Sequence, residues 1–293
     1  IFAEEFVVGD IQPNMPLWPL FAKNPLEPEA KPELAAYVFE TVDFEPVRGY
    51  GGKLKGPARV DPAAHDSRAV GDEALLLAAL GPTWVSADRA AGGAAAEAAG
   101  AEAIIMDDGL QNPSLEKSLS LLIIDGSYGF GNGRVIPSGP LREPVAAAAA
   151  RCQAAVLIGE DETGALAQLP PGLPVLRARL VPGPEAAALA GKPVVAFCGI
   201  ANPRKFFATL QEAGAVLAAR HAFADHYPFD DREIRDILAE AEKLRATPVT
   251  TRKDIVRIPP ALRTGIQVVS IALAWEDPAA IEALLDKALA SQA

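Results

Sequence analysis

Hydrophobic positions in this chain follow two alternating spacings. Short continuous apolar runs occupy residues 103–106, 119–124, 154–158 and 194–197, with 247–251 and 266–271 as two further candidates. Near-continuous apolar runs, as opposed to alternating ones, suit parallel strands covered on both faces. Between them lie segments with the three-to-four spacing of amphipathic helices, at 72–80, 88–99, 203–213, 230–244 and 278–290. Asn202-Pro203 reads as an N-cap followed by proline at the first helical position, where its missing N–H costs nothing. The alternation predicts an α/β fold on a mainly parallel sheet. No internal repeat is visible, and the proline-rich stretch 169–184 reads as a connector between sub-domains.

The pattern stops below residue 48. Residues 1–47 hold one glycine, seven prolines and five of the 11 phenylalanines, with nine acids against two bases. Pro13, Pro16, Pro19, Pro25, Pro28 and Pro32 break any long period, so this segment is expected to be mostly irregular, with one short helix over 32–39. The whole chain of 293 residues carries a net charge of −11, and only −4 of it lies in 48–293. An acidic chain gives no electrostatic support for nucleic-acid binding. Two cysteines, Cys152 and Cys198, exclude a disulfide framework and read as buried apolar residues of a reducing compartment. No stretch reaches the roughly 20 apolar residues of a membrane span, and no basic region precedes an apolar run as in a secretory signal.

Several polar groups punctuate the apolar pattern. Met106-Asp107-Asp108-Gly109 ends an apolar run with two carboxylates. Ligands of parallel sheets sit at such ends, and adjacent carboxylates attract a cation; the same residues also make ordinary turns. Gly71-Asp72-Glu73 opens a helix, where acids either complement the dipole or serve as a base or metal ligand. Asp225-His226 pairs a histidine with a carboxylate, a general-base arrangement, although a lone histidine is often structural. The glycine-rich run Tyr128-Gly129-Phe130-Gly131-Asn132-Gly133-Arg134 leads to Pro137-Ser138-Gly139-Pro140-Leu141-Arg142-Glu143-Pro144. Its amides and arginines suit an anion, or it is a long ordered turn.

Taken in order, these pieces resemble one family. Arg48-Gly49-Tyr50-Gly51-Gly52, Val70-Gly71-Asp72-Glu73, Asp88-Arg89 and Met106-Asp107-Asp108-Gly109-Leu110-Gln111-Asn112 come first. The glycine-rich run, the Pro137–Pro144 string, Gly199-Ile200-Ala201-Asn202-Pro203, Asp225-His226 and Thr250-Thr251-Arg252-Lys253-Asp254 follow. Over residues 48–293 the chain is similar to the tetraacyldisaccharide 4′-kinases (lipid A 4′-kinases).

The resemblance implies an α/β fold of the P-loop kinase type with a second, smaller α/β domain. It suggests a division into 1–47, an atypical N-terminal segment; 48–150, the remainder of a nucleotide- and lipid-binding domain; and 151–293, a C-terminal α/β domain. It implies transfer of a phosphoryl group from ATP, with Mg2+, to the 4′-hydroxyl of an acylated glucosamine disaccharide 1-phosphate lipid, at the cytoplasmic face of a bacterial inner membrane. By resemblance Asp72 and His226 form the catalytic base pair. Asp107, Asp108, Glu73 and Glu143 position the metal, and Arg89, Arg142, Asn132, Tyr50 and Gln111 handle phosphate or sugar. The family's Walker A loop, G-x-x-x-x-G-K-[ST], is found nowhere in the chain, nor is its N-terminal membrane-docking segment. Residues 1–47 are therefore expected to be a replaced, mis-started or out-of-frame segment that leaves the centre of the sheet incomplete. A chain without docking would stay in the cytoplasm. A catalytically inactive or truncated relative that binds glycolipid or is non-functional is the alternative.

Overall fold

The protein is described by a computed structural model covering residues 4–10, 35–40, 52–101, 103–200 and 202–290. Strands β1 (Glu4–Asp10), β2 (Ala35–Glu40), β3 (Ala58–Arg59) and β4 (Thr83–Ser86) come first, with helices α1 (Ser67–Val70) and α2 (Asp72–Ala78) between the last two. Then follow α3 (Arg89–Ala98), β5 (Ala103–Asp107), β6 (Leu119–Asp125), α4 (Val145–Ala149), β7 (Ala154–Ile158) and β8 (Val175–Pro182). The remainder is β9 (Pro193–Cys198), α5 (Pro203–Glu212), β10 (Val216–Ala222), α6 (Asp231–Lys243), β11 (Thr247–Thr251), α7 (Arg252–Ile255), β12 (Gln267–Val269), β13 (Ile271–Trp275) and α8 (Pro278–Ala290).

These elements form two sheets. The larger runs β13-β8-β7-β6-β1-β5-β2-β4-β3, and only its outermost pairs, β13 with β8 and β3 with β4, are antiparallel. The smaller, β10-β9-β11-β12, is parallel throughout. The apolar runs explain this directly. In β6, Leu121 and Ile123 pack with Ile281 and Ala288 of α8, while Leu122 and Ile124 pack with Phe130, Leu141 and α4 on the opposite face. A strand with both faces covered reads as a near-continuous apolar run, broken in β6 only by Ser120 and the terminal Asp125. In the smaller sheet α5 covers one face through Phe206, Phe207 and Leu210, and α6 covers the other through Ile234 and Ile237. Asp230 and Glu233 close a reciprocal capping box at the start of α6, which fixes where that helix begins.

Four expectations need correction. The centre of the large sheet is complete: β1 pairs in parallel with both β5 and β6, and β2 lies between β5 and β4. The expected helix over 32–39 is replaced by β2. Neither Glu4–Asp10 nor Ala35–Glu40 contains a proline, so the prolines of the segment do not interrupt its two strands. The stretch 169–184 is not only a connector, because Val175–Pro182 forms β8. Its Arg177 and Arg179 face outward and hide the half-buried alternation from a search for continuous apolar runs. The run over 266–271 is cut at Ser270, and β12 and β13 join different sheets. Strands on both sides of residue 150 share the large sheet, and the chain returns to it in β13 after the small one.

Leu157, fully buried in β7, is a direct test of this packing. Leu157→Ala is expected to cost about 2–5 kcal/mol in urea unfolding, whereas Val216→Ala, at a position 56% exposed, should change stability by less than about 0.5 kcal/mol.

Candidate active site

The first cluster forms where α2 of the large sheet meets the strand ends of the small one. Gly71, at φ +89°, turns the chain between α1 and α2, a backbone that L side chains rarely adopt. Asp72 and Glu73 follow in the first turn of α2, where the helix dipole favours negative charge. From the small sheet come Gly199 after β9, His226 after β10, and Lys253, Asp254 and Arg257 after β11. Leu76, Leu77 and Val256 pack in the same apolar cluster and hold the two sides together.

His226 Nδ1 lies 3.0 Å from Asp72 Oδ2, and Lys253 Nζ lies 3.1 Å from His226 Nε2. An ammonium can only donate, so Nε2 accepts from Lys253 and Nδ1 carries the proton given to Asp72. The His226 backbone is left-handed, at φ 54°. That conformation costs a non-glycine residue about 1–3 kcal/mol, and it is fixed by the His226 N–H donating to Asp225 Oδ1 at 3.0 Å and to the Gly199 carbonyl at 3.1 Å. Lys253 also pairs with Glu73 at 3.2 Å.

Arg257 joins the two sides. Its side chain is 4% exposed. Nε donates to Asp72 Oδ2 at 2.5 Å, and Nη1 donates to the Gly199 carbonyl at 2.9 Å and to Asp254 Oδ1 at 3.1 Å. Asp254, fully buried, also accepts from the Gly199 N–H at 3.0 Å and the Thr251 hydroxyl at 2.6 Å. Burial pushes the Asp254 carboxyl above its usual value despite these donors. For Asp72 burial acts the same way, but the His226 hydrogen bond and the Arg257 guanidinium outweigh it and hold the carboxyl below its usual value.

A second cluster gathers at the end of β5. Asp108, left-handed at φ 53°, is ion-paired with Arg142, and its carbonyl accepts from Arg89 Nη1 at 3.2 Å. Gln111 Nε2 donates to Glu143 Oε1 at 2.8 Å, and Arg151 pairs with the same carboxylate. Asn132 joins neither cluster through its contacts. Its amide donates to the Ser138 carbonyl at 2.8 Å, and its oxygen accepts from the Arg134 N–H at 3.1 Å, ordering the glycine-rich loop. Tyr50 and the side chain of Asp107 lie outside the described residues. The carboxylates assigned to a metal thus face different cations: Glu73 faces Lys253, Asp108 faces Arg142 and Glu143 faces Arg151. Among the described residues no group of three or more His, Cys, Asp or Glu converges. This donor set still suits Mg2+, which keeps several waters and needs only one or two protein carboxylates beside phosphate oxygens.

A family model described as tetraacyldisaccharide-1-P 4′-kinase matches residues 47–290. The chain belongs to the tetraacyldisaccharide 4′-kinase family. A tetraacyldisaccharide 4′-kinase of Rhodospirillum rubrum is 57% identical over 244 residues, covering 82% of this chain and 74% of the relative. One from Gluconacetobacter diazotrophicus is 56% identical over 239 residues, covering 82% and 73%. The fold is that of a crystal structure of LpxK from Aquifex aeolicus in complex with ATP, with a TM-score of 0.72 and 21% identity, over 99% of this chain and 89% of that one. This is a kinase family of lipid A biosynthesis, and the chain is accordingly a phosphotransferase by descent. Within it, Arg257 is the residue that sequence reading missed. A charged side chain inside the run Ile255-Val256-Arg257-Ile258, three residues after Asp254, was the available signal.

The sign of the Asp72 effect gives a test. A carboxyl held below its usual value of 3.8 stabilises the fold fully above that value, and the contribution is lost as the pH falls through the lower folded value. The stability difference between the parent and Asp72→Asn is expected to be full at about pH 5 and to shrink as acid unfolding is followed below 3.8.

Proposed function

We propose that the chain transfers the γ-phosphoryl group of ATP to the 4′-hydroxyl of a tetraacylated glucosamine disaccharide 1-phosphate, with Mg2+, as a peripheral protein of the cytoplasmic face of a bacterial inner membrane. The observation that carries this reading is the hydrogen-bonded pair of Asp72 and His226, brought together from two sheets across 154 positions of sequence. An ionised, buried carboxylate oriented by an imidazole is suited to take the proton of a sugar hydroxyl as it attacks phosphorus.

In this mechanism Asp72 Oδ2 is occupied by His226 and Arg257, and Oδ1 accepts the hydroxyl proton. His226 keeps Asp72 oriented and shares the charge change, with Lys253 behind it. Arg89 and Arg142 neutralise phosphate and Gln111 faces phosphate or sugar, while Asn132 and Tyr50 are assigned to the same ligands by the family resemblance alone, Asn132 acting through the loop it orders. Asp107 and Asp108, at the end of a central parallel strand, would hold Mg2+ together with phosphate oxygens, with Glu73 and Glu143 acting on its waters. Bound there, the ion supplies charge neutralisation of the transferred group. ATP as donor is supported by the family and by the ATP bound in the Aquifex aeolicus relative of the same fold. Among the described residues no helix is long and apolar enough to cross a membrane.

The sequence favours one second reading. Residues 11–34, which follow β1, contain no glycine, and no Walker A loop occurs in the chain. A relative that binds the glycolipid without turnover would have this composition. Calorimetry with Mg·ATP separates the two: the kinase reading expects binding that Asp107→Ala weakens, and no binding by the folded chain decides for the second. In a kinase assay on the disaccharide lipid, Asp72→Asn and His226→Ala are each expected to lower kcat by about 10²–10⁴-fold, with the affinity for ATP unchanged. Full activity in both variants would remove the pair from the mechanism.

A further inference from the structure

Resting on the kinase reading above, we propose that Arg257 is a positioning residue for the reaction: it reserves Asp72 Oδ1 for the substrate hydroxyl by binding Oδ2 from the opposite side of the cleft. The geometry carries this in three steps. Arginine and a carboxylate ordinarily meet fork to fork, with two parallel N–H bonds to two oxygens. Here they do not. Nε takes only Oδ2, at 2.5 Å, and the same oxygen receives His226 Nδ1 at 3.0 Å. Oδ1 has no partner among the described residues.

The second tooth of the fork is also unused. Nη2 is buried and has no hydrogen-bond partner among the described residues. A buried donor without an acceptor is unfavourable, and a small rotation of the Asp72 carboxyl is the simplest way to relieve it. The rotation is opposed because Arg257 is anchored elsewhere: Nη1 is held by the Gly199 carbonyl and Asp254 Oδ1. That anchor is itself rigid. Asp254 is fixed by the Gly199 N–H and the Thr251 hydroxyl, and a side chain at Gly199 would come within 3.0 Å of the Ala224 carbonyl.

The guanidinium thus has one task on each side of the cleft. On the small-sheet side it reads the backbone of Gly199, the same carbonyl that fixes His226 through the His226 N–H at 3.1 Å. On the α2 side it holds one oxygen of Asp72. Imidazole and guanidinium are therefore referenced to a single backbone group, and both approach Oδ2. A lysine could supply the charge at this position but not the planar set of donors that reaches both sides.

The test is Arg257→Lys, assayed for kinase activity with Mg·ATP and the tetraacyldisaccharide 1-phosphate in detergent micelles, beside a thermal melt. The expected result is a folded protein whose kcat falls about 10–100-fold while KM for both substrates stays within about twofold, the pattern of a contact that matters only in the transition state. Arg257→Gln, which loses the charge as well, should fall further. In an Asp72→Asn background Arg257→Lys should lower kcat no further, because its route to the reaction is gone. Unchanged kcat in folded Arg257→Lys, a rise in KM alone, or an additive loss in the Asp72→Asn background would each overturn the proposal. If neither Arg257 variant folds, Asp254→Asn loosens the anchor from the other side and is read by the same criteria. An inactive parent chain would sink the kinase reading and this one with it, whereas an active parent with an indifferent Arg257 sinks only this one.

Discussion

The relation between the two sheets depends on one guanidinium enclosed by two carboxylates. Arg257 is 4% exposed, and it meets Asp72 from one sheet and Asp254 from the other. Taking three ions out of water is unfavourable by several kcal/mol each, so such a group persists only where partners are close and well aligned. Here they are, and the requirement propagates. Asp254 must be held by Gly199 and Thr251, a side chain at Gly199 would crowd the Ala224 carbonyl and Tyr227, and α2 must start where Asp72 can reach. Neighbouring apolar contacts through Val256 and Leu76 supply area, but they do not fix direction. Direction comes from the ion group, because the planar guanidinium is bonded on both sides at once, through Nε to Asp72 and through Nη1 to Gly199 and Asp254.

The large sheet sets the other half of the site. Its parallel strands place the carboxyl ends of β1, β5 and β6 side by side, through pairs such as Val8 with Asp107 and Asp10 with Ile123. Parallel sheets expose ligands at that edge because the helix and loop connections leave a crevice there. Asp108 and its partner Arg142 sit at this edge, and the glycine-rich loop ordered by Asn132 lies beyond β6. The Asp72–His226 pair therefore belongs to the junction of the sheets, and Arg89, Asp108 and Arg142 belong to one sheet edge.

Much of this was readable from residues alone, for reasons that differ by element. β7 is apolar at every position and β6 at all but Ser120 and the terminal Asp125, because both faces are covered, so they announce themselves. Helices α5 and α6 carry caps at Asn202 and Asp230, and they and α8 begin within a residue of the expected start, whereas the short α7 was not expected. β8 and β10 were not readable. Each has one face toward solvent and carries arginines there, Arg177 and Arg179 in one and Arg220 in the other, which breaks the continuous pattern without breaking the strand. β1 and β2 were masked by the prolines around them, since composition averaged over 47 residues conceals two short proline-free stretches. In the site, Asp72, Glu73, Asp108 and His226 were found because they stand in short motifs. Arg257 was not, because its importance comes from three contacts that span 185, 58 and 3 positions, and no local pattern encodes the longer two.

The two clusters also differ in how easily they give way, and the difference has a direction. The Asp108–Arg142 pair is 36% and 42% exposed, and exposed ion pairs contribute about 0–1 kcal/mol. An incoming phosphate or cation can replace either partner at little cost. The Asp72–His226–Arg257 group is nearly dry, and removing one member strands the others. In the proposed reaction the charge that arrives and leaves is the phosphate and its metal, while the proton acceptor has to be in place beforehand. Adaptable pairs at the sheet edge and a fixed pair at the junction match that division. A preorganised base avoids reorganisation during the chemical step, whereas the phosphate-side residues must exchange partners in every turnover. The left-handed backbones at Asp108 and His226 fit the same picture, since each redirects the chain shortly after a strand, one residue past β5 and four past β10. The third such residue, Arg245, lies just beyond α6, where a left-handed residue commonly ends a helix.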